Sequence, residues 1–158
     1  MNTLLIYDSQ YGNTERIATA IADTLRTVGD VRAVRVGEAQ PLDLTGVDLL
    51  VLGSPTQGWN ATKAMQELLK GFSPEQLRGR AVACFDTRFQ MSHWLTGSAA
   101  RRIASVFERM GIELAEPPES FFVEHTEGPL CTGELARAAV WARLLFDRIE
   151  TPRHAIAH

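Results

Sequence analysis

Residues 3–25 read TLLIYDSQYGNTERIATAIADTL, and the pattern of apolar and polar positions in this stretch decides the fold class. The first five residues, Thr3 to Tyr7, are mostly apolar and predict a short buried β-strand. Apolar residues then recur at helical spacing, which predicts a helix from Asn13 to about Val28. The polar residues in between therefore form a loop that joins the carboxyl end of a strand to the amino end of a helix.

The alternation of strands and helices continues along the chain. Four further strands are predicted at Arg32–Val36, Asp48–Gly53, Ala81–Phe85 and Ser120–Val123. Three further helices are predicted around Thr62–Lys70, from Ser98 to a stop at Gly111, and over Thr132–Ile149. Such alternation requires crossover connections, which pack helices on both faces of a parallel sheet. The predicted fold class is α/β, a three-layer α/β/α sandwich with a five-stranded parallel sheet.

The character of each strand predicts its place in the sheet. The first, third and fourth strands are continuous apolar runs, which are typical of strands buried on both faces. The second alternates apolar residues with Arg32 and Arg35, and the fifth is short, so these two are predicted at the edges. The resulting order is 2-1-3-4-5, a doubly wound arrangement whose ligand site lies at the switch point between strands one and three.

Length and composition favour one globular domain. With 158 residues, of which 45% are hydrophobic and 22% charged, the chain can bury a substantial core. We expect residues 1–150 to form the domain and residues 151–158 to form a poorly ordered tail. No apolar run is long enough to span a membrane, and the first residues lack the pattern of a signal peptide. We therefore expect a cytoplasmic protein without a membrane partner.

Charge and residue types exclude several classes of function. A net charge of −3 argues against nucleic acid as the main partner, because an extended phosphate surface requires a basic face. Cys84 and Cys131 are far apart and form no metal-binding pattern with the histidines. Motifs of nucleotide hydrolysis, dinucleotide binding and hydrolase triads are absent. No metal site and no catalytic residue is predicted, while His125 is open as a proton donor or a solvated loop residue.

The first loop has the composition of an anion site. Ser9-Gln10-Tyr11-Gly12-Asn13-Thr14 combines hydroxyls, an amide and a glycine at the start of a helix. Backbone N–H groups at a helix start bind anions with help from the helix dipole, and glycine lets the backbone approach a phosphate closely. The absence of Lys and Arg from the loop suits a single terminal phosphate. The alternative is a helix cap without a ligand.

This loop resembles the phosphate loop of the flavodoxin family. The usual pattern there is Thr/Ser-x-Thr/Ser-Gly-x-Thr, and Tyr11 replaces the third residue, a change that also occurs in flavodoxin-like domains of larger flavoproteins. The resemblance extends over nearly the whole chain, because the strand order and the loop positions also agree. It implies a flavodoxin-like domain that binds FMN non-covalently, with the 5′-phosphate held by residues 9–14.

The resemblance assigns a second contact to the loop after strand three. In flavodoxins this loop touches the ribityl chain and one face of the isoalloxazine ring, and here it contains Pro55, Thr56, Gln57, Gly58 and Trp59. Trp59 offers a flat surface for stacking, and Gly58 would permit a backbone flip near the ring. The usual short-chain pattern has its Trp near the position of Gln57, so Trp59 is interpreted either as a ring-flanking residue or as a packing aromatic.

The resemblance assigns a third contact to the loop after strand four, which in flavodoxins holds the pyrimidine edge of the ring. Asp86 and Thr87 are the candidates for hydrogen bonds to ring N3 and O2/O4, made directly or through their backbone. Phe89 and Trp94 are the candidates for the aromatic on the other face of the ring. Trp94 is slightly favoured by its distance from Gly97, and each aromatic is otherwise a packing residue.

Arg88 lies in the same loop and bears on mechanism. A cation near flavin N1 would stabilise the reduced, anionic ring by roughly 4 kcal/mol at about 4 Å in an effective dielectric of about 20, before desolvation. Such a cation would raise the second reduction potential. The hypothesis is that Arg88 approaches the ring, and the alternative is a solvated loop arginine.

Two flavin functions follow from the resemblance. The preferred one is a flavodoxin-type electron carrier, a monomer or weak dimer that shuttles electrons between redox partner proteins. The other is a small FMN-dependent reductase of a quinone-like acceptor, which Arg88 and the open aromatic loops favour. The modest acidity and the arginine content of the chain count against the carrier. A receiver-type signalling domain of the same topology is disfavoured, because Asp8 has no acidic cluster around it. A flavin-free descendant of the fold is the remaining alternative.

Overall fold

The computed structural model describes residues 1–155, with side chains described as far as Thr151. Within these residues, one or two α-helices follow every strand except the second, which is followed by a short 3₁₀ helix at Val36–Glu38. The strands are β1 (Asn2–Tyr7), β2 (Asp30–Arg35), β3 (Leu49–Pro55), β4 (Ala81–Phe89) and β5 (Glu119–Val123). The helices are α1 (Asn13–Arg26), α2 (Lys63–Leu69), α3 (Pro74–Leu77), α4 (His93–Thr96), α5 (Ala99–Arg109) and α6 (Glu134–Ala155).

The strands form one parallel sheet in the order β2-β1-β3-β4-β5, which confirms the predicted fold class and strand order. In the register, Leu5 of β1 lies beside Ala33 on one side and Val51 on the other. Val51 in turn lies beside Ala83 of β4. Leu5, Val51 and Ala83 are fully buried. The central strands are apolar throughout because helices cover them on both faces.

Helices on the two faces of the sheet bury two apolar cores. On one face, α1 and α6 contribute Ile17, Ile21 and Trp141 to the core. On the other face, α2 and α5 contribute Met65 and Phe107. Ile17 and Ile21 are four residues apart, so they lie on one side of α1 and point at the sheet together. The order of the layers is thus helix, sheet, helix.

Several boundaries differ from those predicted. β4 continues beyond Phe85 to Phe89, because Asp86 to Phe89 pair with residues 120–123 of β5. The residues predicted to begin a loop are therefore strand, and their side chains alternate between the two faces of the sheet. The short helices α3 and α4 have no counterpart in the sequence prediction. α6 runs on to Ala155, into the predicted tail, and residues 156–158 of that tail lie outside the described residues.

The outer edge of β5 is closed by side chains and by the segment that follows it. The Phe122 N–H donates to the Glu134 carboxylate at 2.7 Å, and the Arg137 guanidinium donates to the Ser120 carbonyl. The Phe122 carbonyl accepts from the Cys131 N–H at 2.8 Å. A glutamate and an arginine from α6 thus occupy backbone groups that a sixth strand would otherwise pair with.

Two kinds of feature are absent from the part of the chain that the structure describes. No helix within residues 1–155 combines the length and the apolar character needed to cross a membrane. In the same described residues, no group of three or more histidine, cysteine or acidic side chains is placed to hold a metal ion.

Candidate cofactor-binding site

A cavity of about 390 Å³ opens at the carboxyl ends of β1, β3 and β4. The strand order reverses at this edge of the sheet, and ligands of doubly wound proteins bind at such points. The volume is in the range of small-molecule sites. Four segments line it: Gln10, Tyr11, Asn13 and Thr14; Pro55, Thr56, Gln57, Gly58 and Trp59; Thr87, Arg88, Phe89, Met91, Leu95 and Thr96; and Val123 and Thr126.

The loop of residues 9–14, here called the anion loop, presents backbone donors that have no acceptor in the protein. The Ser9 hydroxyl accepts the N–H groups of Gly12 at 3.1 Å and of Glu15 at 3.3 Å. Four other N–H groups have no hydrogen-bond partner among the described residues: those of Gln10, Tyr11, Asn13 and Thr14. Gly12 has a φ of +90°, which turns the loop into the helix. Free donors at the amino end of a helix are the arrangement found in sites that bind anions.

Charged residues hold the anion loop from behind. Asp8 accepts the Ser9 N–H at 2.9 Å on Oδ1 and the Thr62 hydroxyl at 2.6 Å on Oδ2. Arg35, the last residue of β2, donates to the Ser9 carbonyl at 3.1 Å and forms an ion pair with Glu15 at 3.0 Å. The sequence prediction missed Arg35, because only the pairing of β2 with β1 brings this cation to the loop.

The segment after β5 closes one side of the anion loop. The Asn13 amide donates to the Glu127 carbonyl at 3.1 Å. A Cβ on Gly128 would lie 2.7 Å from the Asn13 side chain, so this close approach requires a glycine. Thr126 lines the cavity beside them. The sequence prediction did not include Thr126. The sequence feature that could have identified it as a site residue is its position just after the carboxyl end of a strand.

Thr87 reaches the anion loop from β4. Its hydroxyl oxygen lies 2.7 Å from that of Thr14, and both side chains are buried. The sequence prediction placed Thr87 at the edge of a ring. Its hydroxyl lies beside the residues that would hold a phosphate, and a contact of Thr87 with a ring edge stays a prediction.

The segment after β3 makes a tight turn in the cavity wall. Gln57 and Asn60 exchange backbone hydrogen bonds of 2.8 and 3.0 Å. Between them, Gly58 and Trp59 have φ values of 50° and 72°, as in a type I′ turn. A left-handed backbone is rare for an aromatic residue, and such strain is typical of functional sites. Trp59 lines the cavity and is 49% exposed.

Of the two aromatic residues predicted after strand four, one lines the cavity. Phe89 lies in the wall and is 38% exposed. Trp94, in α4, lies outside the lining and is 76% exposed. The same segment adds Met91, Leu95 and Thr96 to the wall. The positions of these three residues depend on the contacts that hold α4, and residue spacing along the sequence does not reveal such contacts.

Arg88 is anchored in the wall and keeps part of its guanidinium group free. Nε donates to the Ser120 hydroxyl at 2.9 Å, and Nη1 donates to the carbonyls of Met91 at 2.6 Å and Phe89 at 3.3 Å. The group also stacks on Phe122, with 5.1 Å between Cζ and the ring centroid. Nη2 has no hydrogen-bond partner among the residues that the structure describes. Arg88 therefore holds the segment after β4 in place and is one of the residues that line the cavity.

Asp86 lies beneath the cavity and outside its lining. Its buried Oδ2 accepts from the Ser98 hydroxyl at 2.6 Å, the Ala100 N–H at 3.0 Å and the Thr56 hydroxyl at 3.2 Å. Oδ1 has no hydrogen-bond partner in the described chain and lies 4.0 Å from Arg88 Nε. Burial raises the pKa of Asp86 above its ordinary value, although the bonds from Ser98 and Ala100 oppose this. The side chain faces the start of α5, and a contact of Asp86 with a ring, directly or through its backbone, stays a prediction.

Most of the predicted site residues meet in one place. Twelve of the sixteen line the cavity. The other four are Ser9 and Gly12, which shape the anion loop, and Asp86 and Trp94. Five lining residues were not predicted: Met91, Leu95, Thr96, Val123 and Thr126.

Comparison with known proteins finds relatives over most of the chain. Residues 4–93 match a family model described as a flavodoxin domain. The type A flavoprotein fprA of Rhodobacter capsulatus is 32% identical over 120 residues, which cover 72% of this chain and 26% of that protein. This chain spans about a quarter of the length of the curated relatives that it matches.

Solved structures share the fold over nearly the whole chain. Oxidised flavodoxin 1 from Bacillus cereus has a TM-score of 0.77 at 15% identity, covering 93% of this chain and 98% of that one. A flavodoxin from the domain Archaea has a TM-score of 0.73 at 21% identity, covering 98% and 100%. The rubredoxin oxygen:oxidoreductase of Desulfovibrio gigas has a TM-score of 0.76 at 13% identity, covering 95% and 36%. At these identities the likeness supports the fold alone.

Proposed function

The chain belongs to the flavodoxin domain family, and on that premise we propose that it binds FMN in the cavity and carries electrons between redox partners. One observation supports this most directly: the free N–H groups of the anion loop border a cavity lined by aromatic residues. FMN needs both parts, donors for a phosphate and flat surfaces for a ring.

The donors of the anion loop fit a single phosphate. The free N–H groups, the hydroxyls of Ser9 and Thr14 and the Asn13 amide belong to one short loop, whose conformation Gly12 permits. The guanidinium of Arg35 lies 3.1 Å from the Ser9 carbonyl and is paired with the Glu15 carboxylate at 3.0 Å, so it supports the loop from behind. No lysine or arginine lies within the loop, which suits one terminal phosphate and not a triphosphate.

The wall aromatics fit a planar ring. We assign Trp59 and Phe89 to the ring, because both line the cavity and are 49% and 38% exposed. A ring that covers them removes apolar surface from water and adds about 0.5–1.5 kcal/mol per aromatic contact. Pro55, Thr56, Gln57 and Gly58 complete this side of the lining.

FMN, when bound, supplies the redox chemistry, since it takes up one or two electrons. The protein's own contribution is to orient the cofactor, exclude water and set the charge beside the ring. Redox partner proteins or a small-molecule acceptor would exchange electrons with it. We expect residues 1–150 to act as the flavin-binding domain of a cytoplasmic monomer or weak dimer, with no nucleic acid and no membrane among its partners.

Arg88 favours a second candidate, a small reductase that passes electron pairs to a quinone-like acceptor. Arg88 lines the cavity, and its Nη2 has no hydrogen-bond partner among the described residues. A cation in that place stabilises negative charge on a fully reduced ring. Stabilising that state favours transfer of electrons in pairs.

Reconstitution with FMN, followed by anaerobic titration with dithionite, tests the proposal. A yellow protein that develops a long-wavelength absorption band at half reduction supports the single-electron carrier, whereas direct bleaching supports the reductase. Failure to retain FMN would refute the cofactor assignment. Trp59→Ala should weaken FMN binding roughly tenfold, while Trp94→Ala, a matched change outside the lining, should leave it unaltered.

A further inference from the structure

Four exposed apolar side chains border the cavity on one side and are called here the apolar rim. Trp59, Met91, Trp94 and Leu95 are 49%, 52%, 76% and 64% exposed. Three of them line the cavity, and Trp94 adjoins Leu95 in α4. Large apolar side chains exposed together mark contact sites for another molecule.

Three cations lie in the helices that begin at this edge of the sheet. Lys63 is the first residue of α2, and Arg101 and Arg102 lie in the first turn of α5. All three are exposed, and none forms an ion pair with a described residue. Arg102 Nε donates to the Trp59 carbonyl at 3.4 Å, which places this cation at the apolar rim.

These cations do not stabilise the helices that carry them. A positive charge near a helix amino end opposes the helix dipole and is therefore unfavourable for the helix. Neither α2 nor α5 has an acidic residue in its first turn to offset this. Residues that act against local stability are expected where function requires them.

Charge is divided across the cavity. Residues 54–66 and 87–107 contain no aspartate or glutamate, but they contain four lysine or arginine residues. The segment after β5, on the other side, carries Glu124 and Glu127. The net charge of −3 therefore conceals a positive region around the apolar rim.

We propose that the apolar rim and its three cations form the docking surface for an acidic electron-transfer protein. This inference rests on the proposed function, because docking here places a partner's redox group beside the flavin cavity. Carboxylates around that group would pair with Lys63, Arg101 and Arg102, while the rim excludes water at the centre. A lipid surface fits less well, because the rim comes from a turn, a loop and the four-residue α4 and not from a long amphipathic helix.

Stopped-flow oxidation of the dithionite-reduced, FMN-loaded protein tests this proposal. Ferric cytochrome b5 serves as an acidic acceptor and ferric cytochrome c as a basic one, and each haem becomes ferrous by taking one electron. We expect the rate constant with cytochrome b5 to fall about tenfold or more between roughly 10 and 300 mM salt. The rate constant with cytochrome c should not fall in this way.

Reversing the charge of individual arginines shows which residues cause the salt dependence of the cytochrome b5 rate constant. The double change Arg101→Glu and Arg102→Glu should lower the cytochrome b5 rate constant about tenfold at low salt, and the glutamates suit a helix start, so the variant should fold. Arg109→Glu is the matched control, because Arg109 is exposed in the last turn of the same helix. It should change the rate less than about twofold.

Three outcomes would overturn the docking proposal. They are a cytochrome b5 rate that does not respond to salt, an equal loss in Arg109→Glu and in the double variant, and binding to phosphatidylserine vesicles without binding to cytochrome b5. Calorimetric titration of the flavin-free protein with cytochrome b5 supplies a readout that does not need FMN. If the protein fails to retain FMN but binds cytochrome b5 through Arg101 and Arg102, the proposed function fails and the docking surface stands.

Discussion

The hydroxyl oxygens of Thr14 and Thr87 lie 2.7 Å apart and join the start of α1 to the end of β4. The two side chains are only 1% and 5% exposed, so water does not replace this contact readily. Thr87 is followed in β4 by Arg88 and Phe89, which form part of the cavity wall. The part of the site suited to a phosphate is therefore tied to the part suited to a ring.

Thr14→Val should weaken FMN binding roughly tenfold or more, because a hydrogen bond to a charged group contributes about 1.5–3 kcal/mol. Thr87→Val should have a smaller effect, since its hydroxyl contacts Thr14. Quenching of FMN fluorescence on binding measures both affinities. Equal affinity of Thr14→Val and the wild-type protein would exclude Thr14 as a phosphate ligand.

The same pair can be tested without flavin. Each single valine leaves a buried hydroxyl without its partner and should cost about 1 kcal/mol or more of the free energy of unfolding. The double variant should cost less than the sum of the two, because no unpaired hydroxyl remains. Urea unfolding of the four proteins gives the coupling energy, and strict additivity would contradict a direct hydrogen bond.

Gly12→Ala should destabilise the anion loop. The φ of +90° at Gly12 is unfavourable for any residue with a Cβ, at a cost of about 1–3 kcal/mol, although a Cβ there meets no atom within 4 Å. Both the free energy of unfolding and the FMN affinity should fall. Gly37→Ala is the control, since that position is equally open and its φ is not left-handed. It should alter stability by less than about 1 kcal/mol.

Arg88→Met should lower the second reduction potential of bound FMN. Loss of a cation at the cavity wall removes on the order of 2 kcal/mol of stabilisation, or about 85 mV for a one-electron step. Arg88→Lys keeps the charge and should show a smaller change. Potentiometric titration with redox dyes measures both variants. Unchanged potentials in Arg88→Met would leave Arg88 with the sole role of holding Met91 and Phe89.

Asp86→Asn should change how stability depends on pH. Burial raises the pKa of Asp86 in the folded protein above its ordinary value of 3.8, so the folded state holds a proton that the unfolded chain has released. Between those two pKa values, wild-type stability falls as pH rises. Asparagine does not titrate, so the variant should become more stable relative to the wild-type protein as pH rises over this range. Above the range, the difference between their free energies of unfolding should stay constant.

Asp43→Asn should change the pH dependence of stability in the opposite direction. The Thr45 N–H lowers the pKa of Asp43, so the ionised carboxylate favours the folded state above its ordinary pKa. This variant should lose relative stability as pH rises through the acid range. Urea unfolding at a series of pH values compares the two, and the same trend in both variants would show that one of the two pKa shifts has the opposite direction.

The fold could be predicted because its central strands have one unambiguous pattern. Leu49 to Leu52 are all fully buried, and such a run fits only a strand covered on both faces. The end of β4 could not be predicted in this way. Asp86, Thr87 and Arg88 are polar and indicate a loop. Each side chain nevertheless has a hydrogen-bond partner within the fold, which allows these polar residues to lie in a strand.

The candidate site could be predicted where its residues are adjacent in the sequence. The anion loop is six adjacent residues, so its chemistry can be seen without knowing how distant segments meet. Arg35 and Thr126 come from remote segments, and only the strand pairing and the segment after β5 bring them to the site. The sequence distance from Gly97 favoured Trp94 over Phe89 as the ring aromatic. Residues 90–97 are held by hydrogen bonds from Arg88, and distances along the sequence do not predict these bonds.

Glu134 and Arg137 act at the edge of β5 as a covering strand would. Their bonds to the Phe122 N–H and the Ser120 carbonyl leave these backbone groups unable to template an extended chain. Strand-by-strand growth, the route by which open sheet edges seed fibrils and intertwined dimers, is therefore blocked at this border of the sheet. A partner that docks at the loops of the carboxyl edge can then form and break its contacts without joining two sheets.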